Sequence, residues 1–538
     1  RCVRGKRDVV AWALLLHGPV SKPTILETES TPATRASDSG GGPGVLIGRR
    51  EFCDLEKILS DVFEAYLPHK EGRICREVFS EKAAGTDEFS VCAQTVEGEM
   101  FRFGDSQLEF PLLSIAKPLV FGLTLEDHGS EMVRRKIGVE PTGSTFDSLI
   151  RHDKISRGSY NPMVNLGAIA TTSLVKGRDP VDREERMLAM LKRYTGRAMQ
   201  IDRSLLERRR RSDSLNRSMA YFMDSEGLMT GSVEETLELY AAQCCVRANC
   251  ADLAVIAATL ANCGVNPRTG TQALPIGCVR DVLSVMFSSG LYEFSGQWAY
   301  RVGMPSKSGL AGTLLAVIPG RLGVAVYSPP LDSNRKSARG VRVLADLSER
   351  LEGHVFSPPK RFAGASPRSR GAAPVDRVAP LLAELHGKYT SLSEGSPYVC
   401  DGGVTKVDPD RFGICTVSVD GRVQAVGDWQ YPFLLQSISK VFVYGLALED
   451  HGRDYVRRRV DVEPSGGPFD AIIELEHKSK RPFNPMVNTG GIATTSLIKG
   501  KGRAQRLQRV LQMYSRYAGR DLSLDAPTFL AEQAGGDR

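Results

Sequence analysis

A serine and a lysine three residues apart stand at the start of an apolar segment of this chain. Ser114 precedes Lys117 at that spacing. Positions i and i+3 of a helix face the same side, so the hydroxyl and the amine would meet there. A lysine whose charged form is disfavoured by burial takes the serine proton and activates the oxygen as a nucleophile. The spacing therefore indicates a nucleophilic serine with a lysine base.

A second motif supports this interpretation, since S-x-x-K alone occurs by chance in most long proteins. Lys307, Ser308 and Gly309 lie between two strand-like runs late in the same part of the chain. S-x-x-K followed by K-[ST]-G is typical of the acyl-serine hydrolases that react with penicillin. In that architecture the second motif is a strand beside the nucleophile. The N–H groups of Leu310 and Ser114 would then form an oxyanion hole.

The first motif recurs along the chain at a constant offset of 323 residues, as Ser437 and Lys440. Flanking segments recur with it, without gaps: 125–129 as 448–452, 139–143 as 462–466, 161–165 as 484–488, and 169–174 as 492–497. A period this long indicates duplication of a whole domain and not a solenoid repeat.

The duplication predicts four regions of the 538-residue chain. Residues 1–44 are expected to be a disordered or targeting tail, and 45–356 the first copy. Residues 357–374, rich in Pro, Gly, Ser and Arg, read as a flexible linker. Residues 375–538 match only the N-terminal half of the first copy. That second copy stops before any K-S-G motif, so we expect it not to be catalytic alone and the natural protein to continue further.

Hydrophobic periodicity predicts an α+β fold. A hairpin is expected at 89–103 with its turn at Gly98, and another around Asp420 and Gly421 in the second copy. Helices are predicted at 115–128 (with Ser114 at its start), 184–194, 233–244, 251–261 and 341–351, and strands at 298–302, 314–318 and 323–327. Early and late strands would form one antiparallel sheet with helices packed on it.

Composition narrows the class of protein. The chain is 41% hydrophobic and 25% charged, as globular proteins are. The net charge of +7 is spread along the chain except for four arginines at 208–211, so we expect a solvated face there and no nucleic-acid partner. The apolar run at 9–16 is well short of the roughly 20 residues of a membrane helix, so no membrane span is expected.

Cysteine usage points to a reducing compartment. The 11 cysteines form no CxxC pair and have no histidine at metal-binding spacing, and Cys244 and Cys245 are neighbours in sequence. A disulfide framework is therefore not expected, nor a metal or other cofactor. The cytoplasm or a mitochondrion fits this usage. The chain begins with Arg1, so a targeting segment cannot be read from its start.

The residues around the motifs resemble the serine-dependent glutaminases. In the first copy the similar segments are Glu-Pro-Thr-Gly at 140–143, Asn-Pro-Met-Val-Asn at 161–165, 258–262, 289–297 and 328–332. The second copy, with Gln436 before Ser437, is closer still. The likeness covers roughly 70–350 and 395–538. It implies a β-lactamase/DD-peptidase-like fold and hydrolysis of the L-glutamine side-chain amide to L-glutamate and ammonia, through an acyl-serine, without a metal. It also implies a homo-oligomer, a dimer or tetramer.

The resemblance carries over residue by residue. Catalytic positions match Ser114, Lys117, Ser437 and Lys440, and positions that hold the substrate or order the site match Asn165, Asn216, Tyr240, Tyr292, Leu310, Asn488 and Glu532. The alternative is that these residues have structural roles only. Tyr240 and Tyr292 would then be core aromatics, and Asn165 would cap a helix. Tyr240 needs a two-residue gap against the usual spacing.

Two departures from the family leave the activity open. Glu77 stands where the family has a catalytic tyrosine, and Cys400 stands there in the second copy with Tyr398 nearby. A glutamate paired with the lysine would keep the lysine protonated and remove the base. Arg209 occupies the place of a glutamate that meets the substrate's ammonium in the family, so Glu207, two positions away, is the candidate substrate-binding carboxylate.

Three functions therefore remain. The first is a glutaminase, and the second is a catalytically impaired relative that binds an amino acid or a partner. The third is a penicillin-type acyl-serine hydrolase, against which the Asn-Pro-Met-Val-Asn segment speaks.

Overall fold

The computed structural model describes residues 14–15, 49–76, 78, 85–148, 160–357, 378–396, 408–470 and 481–535, and for 14–15, 49–53 and 532–535 only the backbone. The chain divides into two compact units. The larger unit is Gly41–Ser357 with Val462–Pro468, and the smaller unit is Arg1–Gly40, Pro358–Asp461 and Phe469–Arg538.

The larger unit combines helices and strands, numbered along the chain. Its helices are α1 (Arg49–Tyr66), α2 (Ala116–His128), α3 (Ser130–Lys136), α4 (Asn165–Ser173), α5 (Pro180–Thr195), α6 (Arg203–Ser212), α7 (Ser214–Ser225), α8 (Val233–Cys244), α9 (Cys250–Ala261), α10 (Ile276–Ser289), α11 (Ser295–Arg301) and α12 (Ala338–Arg350). Its strands are β2 (Ser90–Thr95), β3 (Met100–Gly104), β4 (Phe110–Pro111), β5 (Gln200–Ile201), β6 (Val246–Ala248), β7 (Ser306–Gly309), β8 (Thr313–Ile318) and β9 (Leu322–Tyr327).

One antiparallel sheet joins the two ends of the larger unit. Its strand order is β3-β2-β9-β8-β7. The early hairpin of β2 and β3 pairs through β2 with the late strand β9, with Val91 opposite Val326. Short strands β4, β6 and β5 form a separate three-stranded sheet. The α+β arrangement expected from the sequence, one sheet built from early and late strands, is thus confirmed.

The five-stranded sheet separates two hydrophobic clusters because its side chains alternate between its faces. Val91 and Val324 pack with residues of α1 and α12 on one face. Cys92 and Ala325 point to the opposite face, into a larger cluster shared by α2, α4, α5, α8 and α9. The first turn of α2, which carries Lys117, and the turn with Ser114 just before it pack into this larger cluster.

The strand predicted at 298–302 is wrong. These residues lie in α11 and at its end. Trp298 and Val302 are the buried positions, four residues apart as on one helix face, and the Trp298 indole N–H donates to the Met304 carbonyl at 2.9 Å. A segment of five residues is too short for its periodicity to separate strand from helix.

The smaller unit repeats the hairpin and the motif helix. It contains β1 (Leu14–Leu15), α13 (Val378–Tyr389), β10 (Gly413–Val417), β11 (Val423–Gly427), α14 (Ser439–His451), α15 (Arg453–Arg457), α16 (Asn488–Ser496), α17 (Arg503–Ala518), β12 (Ser523–Leu524) and α18 (Ala526–Gly535). β10 pairs with β11, and β1 with β12. Its core includes Leu446, Val510 and Tyr514. Among the helices described in both units, none has the length and apolarity to cross a membrane.

Gly323 in β9 marks the closest approach of the sheet to α9. A Cβ there would overlap the backbone nitrogen of Ala258. We expect Gly323→Ala to lower the free energy of unfolding by about 1–3 kcal/mol, because the strand and helix must separate. Urea unfolding measures the loss. Gly277→Ala is the matched control, since Gly277 lies in α10 with open space around it, and there the change should stabilise slightly. Equal stabilities for the two variants would contradict the close approach.

Candidate functional site

Ser114 lies in a 3-10 turn just before α2. The turn spans Leu113–Ile115, and α2 begins at Ala116, so Ser114 precedes the helix and does not start it. Leu113 has a φ of +48°, in the left-handed region that a leucine rarely adopts. Gln436, which precedes Ser437, has a φ of +40°. Such backbone persists only where its surroundings hold it, often at functional sites.

The Lys117 amine is buried, with 2% of the residue exposed. It donates to the Met163 carbonyl at 3.0 Å and to Asn165 Oδ1 at 2.6 Å. Burial lowers the pKa of Lys117 to about 7. A neutral amine has two N–H groups and one lone pair. Both N–H groups are used by these acceptors, so the lone pair is left to accept a proton.

A chain of amides and one carboxylate fixes the acceptor of Lys117. Asn165, the first residue of α4, donates from Nδ2 to Asn216 Oδ1 at 2.9 Å. Asn216 in turn donates to Asp213 Oδ1 at 2.5 Å. Because the Asn165 amide is held from both ends, its oxygen points at Lys117. The structure thus brings Lys117, Asn165 and Asn216 together.

The K-S-G strand supplies a second buried amine. Lys307 of β7 is fully buried and donates to the Tyr292 hydroxyl and to the Ser308 carbonyl, both at 2.8 Å. Burial, together with the nearby charge of Lys117, lowers the pKa of Lys307 well below its usual value. Ser114 also lies close enough to the Tyr292 hydroxyl to lower its pKa, against the larger rise caused by burial. Tyr292 therefore links the two motifs.

Strand β7 passes directly beside the turn that carries Ser114. A Cβ added to Gly309 would overlap the Thr313 side chain, and it would lie in contact with the turn, 3.4 Å from Ile115 Cγ1 and 3.7 Å from the Leu112 carbonyl. Leu310 follows at the end of the strand. Its N–H donates no hydrogen bond within the described residues. The geometry places an unused donor close to the nucleophile turn.

The remaining predicted residues of the first copy lie on α6 and α8, and they differ in whether they face the site. Tyr240 is buried on α8, where Cys244 and Arg209 interact with it electrostatically. Arg209 also acts on Lys117. Glu207 is exposed and forms ion pairs with Arg210 at 3.0 Å and Arg211 at 3.3 Å. In the structure, therefore, Glu207 faces away from Lys117, whereas Arg209 faces toward Lys117.

The second copy reproduces the lysine geometry with less burial. Lys440 donates to the Met486 carbonyl at 3.0 Å and to Asn488 Oδ1 at 2.6 Å. Ser437 is exposed and Lys440 is only half-buried. Burial lowers the pKa of Lys440. The positions Glu77, Tyr398 and Cys400 lie outside the described residues, as does the side chain of Glu532 on α18.

Two residues of this cluster were missed by sequence reasoning. Asp213 stands three residues before Asn216, and Cys244 stands four residues after Tyr240. Cys244 is buried and close enough to Lys117 to affect its pKa. Helical spacing from the predicted residues would have found both. Across the described ranges no three His, Cys, Asp or Glu side chains are grouped as a metal site needs.

Known proteins match this chain in both copies. The sequence model of the Glutaminase family matches residues 80–356 and 403–538. A glutaminase of Nostoc sp. is 46% identical over 302 residues, 56% of this chain and 90% of the relative. A glutaminase of Microcystis aeruginosa is 43% identical over 313 residues, which are 58% of this chain and 92% of the relative. The solved structure of a probable glutaminase, ybaS, is 34% identical with a TM-score of 0.55, covering 57% of this chain and 99% of that one. The expected β-lactamase-like fold is confirmed.

The buried Lys117 amine makes stability depend on pH. Its pKa is lowered from 10.5 to about 7, so between these values the unfolded chain binds more protons and stability rises with pH. Lys117→Met removes this dependence. We expect the variant to have a higher free energy of unfolding than the parent chain at pH 7. This difference should shrink by up to about 1.4 kcal/mol per pH unit toward pH 9, because only the parent gains stability as the pH rises.

Urea unfolding at pH 7 and 9 measures this gap. Lys192→Met, at an exposed position of α5, is the control for loss of a lysine side chain. A gap for Lys117→Met that stays constant or widens at pH 9 would show that the native state holds this amine charged.

Proposed function

The chain belongs to the glutaminase family, whose members hydrolyse glutamine to glutamate, and we propose that it does so through an acyl-serine formed on Ser114. The observation that carries this mechanism is the buried Lys117 amine. Its pKa is about 7 and both its N–H groups have protein acceptors. A base poised near neutral pH is what a serine nucleophile requires.

Acylation follows from the placement of these groups. The Ser114 oxygen attacks the carbon of the substrate's side-chain amide, and its proton passes to the lone pair of Lys117. The N–H groups of Ser114 and Leu310 stabilise the negative oxygen of the tetrahedral intermediate. When the C–N bond breaks, Lys117 returns the proton to the leaving nitrogen and ammonia departs.

Deacylation uses the same groups with water as the nucleophile. Water attacks the glutamyl ester while Lys117 accepts one of its protons. The C–O bond to Ser114 breaks, and the proton returns to the serine oxygen. The net reaction consumes one glutamine and one water and yields one glutamate and one ammonia.

Tyr292 and Lys307 hold the nucleophile in place. Ser114 lies close enough to Tyr292 to affect its pKa, and the Tyr292 oxygen accepts from Lys307 at 2.8 Å. Burial raises the pKa of Tyr292, so the phenol stays protonated near neutral pH. We assign Asn165 a positioning role, since its oxygen accepts from Lys117 and its nitrogen donates to Asn216. Tyr240 and Asn216 line the same side and are proposed to contact the substrate.

We assign turnover to residues 45–356, the proposed catalytic domain. Ser437 is exposed and Lys440 half-buried, whereas Ser114 is half-buried and Lys117 buried. Water around Lys440 stabilises its charged form, so less of it is in the neutral form that can accept a proton near neutral pH. Residues 375–538 are proposed to repeat the N-terminal half of the catalytic domain.

The two serines separate the copies experimentally. We expect Ser114→Ala to reduce kcat for ammonia release from L-glutamine by at least a thousandfold, because the nucleophile is lost. Ser437→Ala, the matched change in the second copy, should retain the parent rate. Release of ammonia is measured with the full chain. The mechanism fails if Ser114→Ala stays active, and binding of glutamine without any turnover in the parent chain would favour the impaired relative.

The pH profile reports the base. Since only neutral Lys117 accepts the serine proton, kcat/KM should fall about tenfold per pH unit below about pH 7. Asn165→Asp places a carboxylate at the amine, which favours the protonated lysine and should move this limb to higher pH by at least one unit. Asn488→Asp is the matched control in the second copy. An unmoved limb in Asn165→Asp would exclude Lys117 as the titrating base.

A further inference from the structure

Helix α6 turns one of its arginines inward. Leu205 and Leu206 form its buried face, with 5% and 1% exposed. Arg209 lies four and three residues further on, so it continues that face, whereas Arg208, on the other side, is exposed and donates to Ser204. The orientation follows from helical spacing, and it aims one guanidinium into the interior beside the site.

The Arg209 guanidinium is not fully satisfied by the protein. Its Nε is buried and has no acceptor among the described residues. Its charge acts on Lys117 and on Tyr240, the residues that border the substrate space of the proposed site. A buried guanidinium with an unsatisfied N–H is costly, so an anion bound there is stabilised.

Nearby carboxylates are engaged elsewhere. Glu207 pairs with Arg210 and Arg211, and Glu238 pairs with Arg210. Asp213 accepts from Asn216 at 2.5 Å, and its charge also acts on Arg209. Among the described residues around Arg209 there is thus one inward guanidinium and one carboxylate that is already shared. This balance favours a carboxylate ligand over an ammonium ligand.

We infer that Arg209 binds the carboxylate of the substrate, and that the site accepts ω-amides of carboxylic acids that lack an α-ammonium group. Glutaramate is the simplest of these, since its carboxylate is as far from its amide as in L-glutamine. The planar guanidinium fits a carboxylate with two parallel hydrogen bonds. Hydrolysis consumes one water and yields glutarate and ammonia. The inference rests on the proposed reaction at Ser114.

Turnover of the two amides tests the substrate class. The full chain is assayed by ammonia release from L-glutamine and from glutaramate, and the kcat/KM values should lie within about tenfold of each other because the α-ammonium contributes little. Arg209→Gln should lower kcat/KM at least tenfold for both amides, mainly by raising KM. Arg209→Lys keeps the positive charge but cannot form two parallel hydrogen bonds to a carboxylate, so its kcat/KM should lie between those of the parent and Arg209→Gln. Arg208→Gln, one residue away and exposed, should leave both values unchanged.

Binding without turnover keeps the inference separate from the mechanism. Calorimetry with glutarate is performed on the Ser114→Ala chain, alone and combined with Arg209→Gln or Arg208→Gln. Arg209→Gln should weaken glutarate binding at least tenfold, and Arg208→Gln should not change it. The inference is overturned if glutarate does not bind, if Arg209→Gln leaves its binding unchanged, or if glutaramate is more than a hundredfold poorer than glutamine. Activity retained by Ser114→Ala would instead overturn the acyl-serine mechanism, and these calorimetric results would still decide the role of Arg209.

Discussion

The amine of Lys117 lies where solvent hardly reaches it, and most of the larger unit contributes to keeping it there. Burying an ammonium group costs several kcal/mol unless a partner compensates it. The protein supplies two uncharged acceptors, the Met163 carbonyl and the Asn165 amide oxygen. Such acceptors satisfy the N–H groups of a neutral amine without holding a third proton. A carboxylate in the same place would have produced a stable ion pair and an inert lysine.

A second buried lysine reinforces this choice. Lys117 and Lys307 lie 5.7 and 4.2 Å from the centroid of the Tyr292 ring. A positive charge on Lys117 lowers the pKa of Lys307, so the two buried amines do not both take a proton readily. The K-S-G strand therefore does more than line the nucleophile, because its lysine interacts electrostatically with the base. The two motifs depend on one another through electrostatics as well as through Tyr292.

The sequence predicted the elements that carry these groups better than it predicted the directions of single side chains. Short apolar runs identified β8 and β9, and helical spacing paired Ser114 with Lys117, because both patterns are local. The direction of Glu207 was not predictable, since it follows from ion pairs with Arg210 and Arg211 on its own helix turn. The helix at Trp298 was mistaken for a strand because the five residues 298–302 carry too little periodicity. Ion pairs within α6 decided the first case, and packing of Trp298 and Val302 in the core decided the second.

The two copies separate what a motif specifies from what its surroundings specify. Lys117 and Lys440 make the same two hydrogen bonds with the same lengths, 3.0 and 2.6 Å. The short shared sequence is thus enough to build the local geometry. Lys117 is nevertheless buried and has its pKa lowered to about 7, whereas Lys440 is half-buried. The two copies differ in the side chains that surround the amine, which in the larger unit include Cys244 of α8 and Lys307 of β7. The basicity of the lysine is therefore a property of the layers around the motif, and sequence identity within the motif does not by itself transfer catalytic strength from one copy to the other.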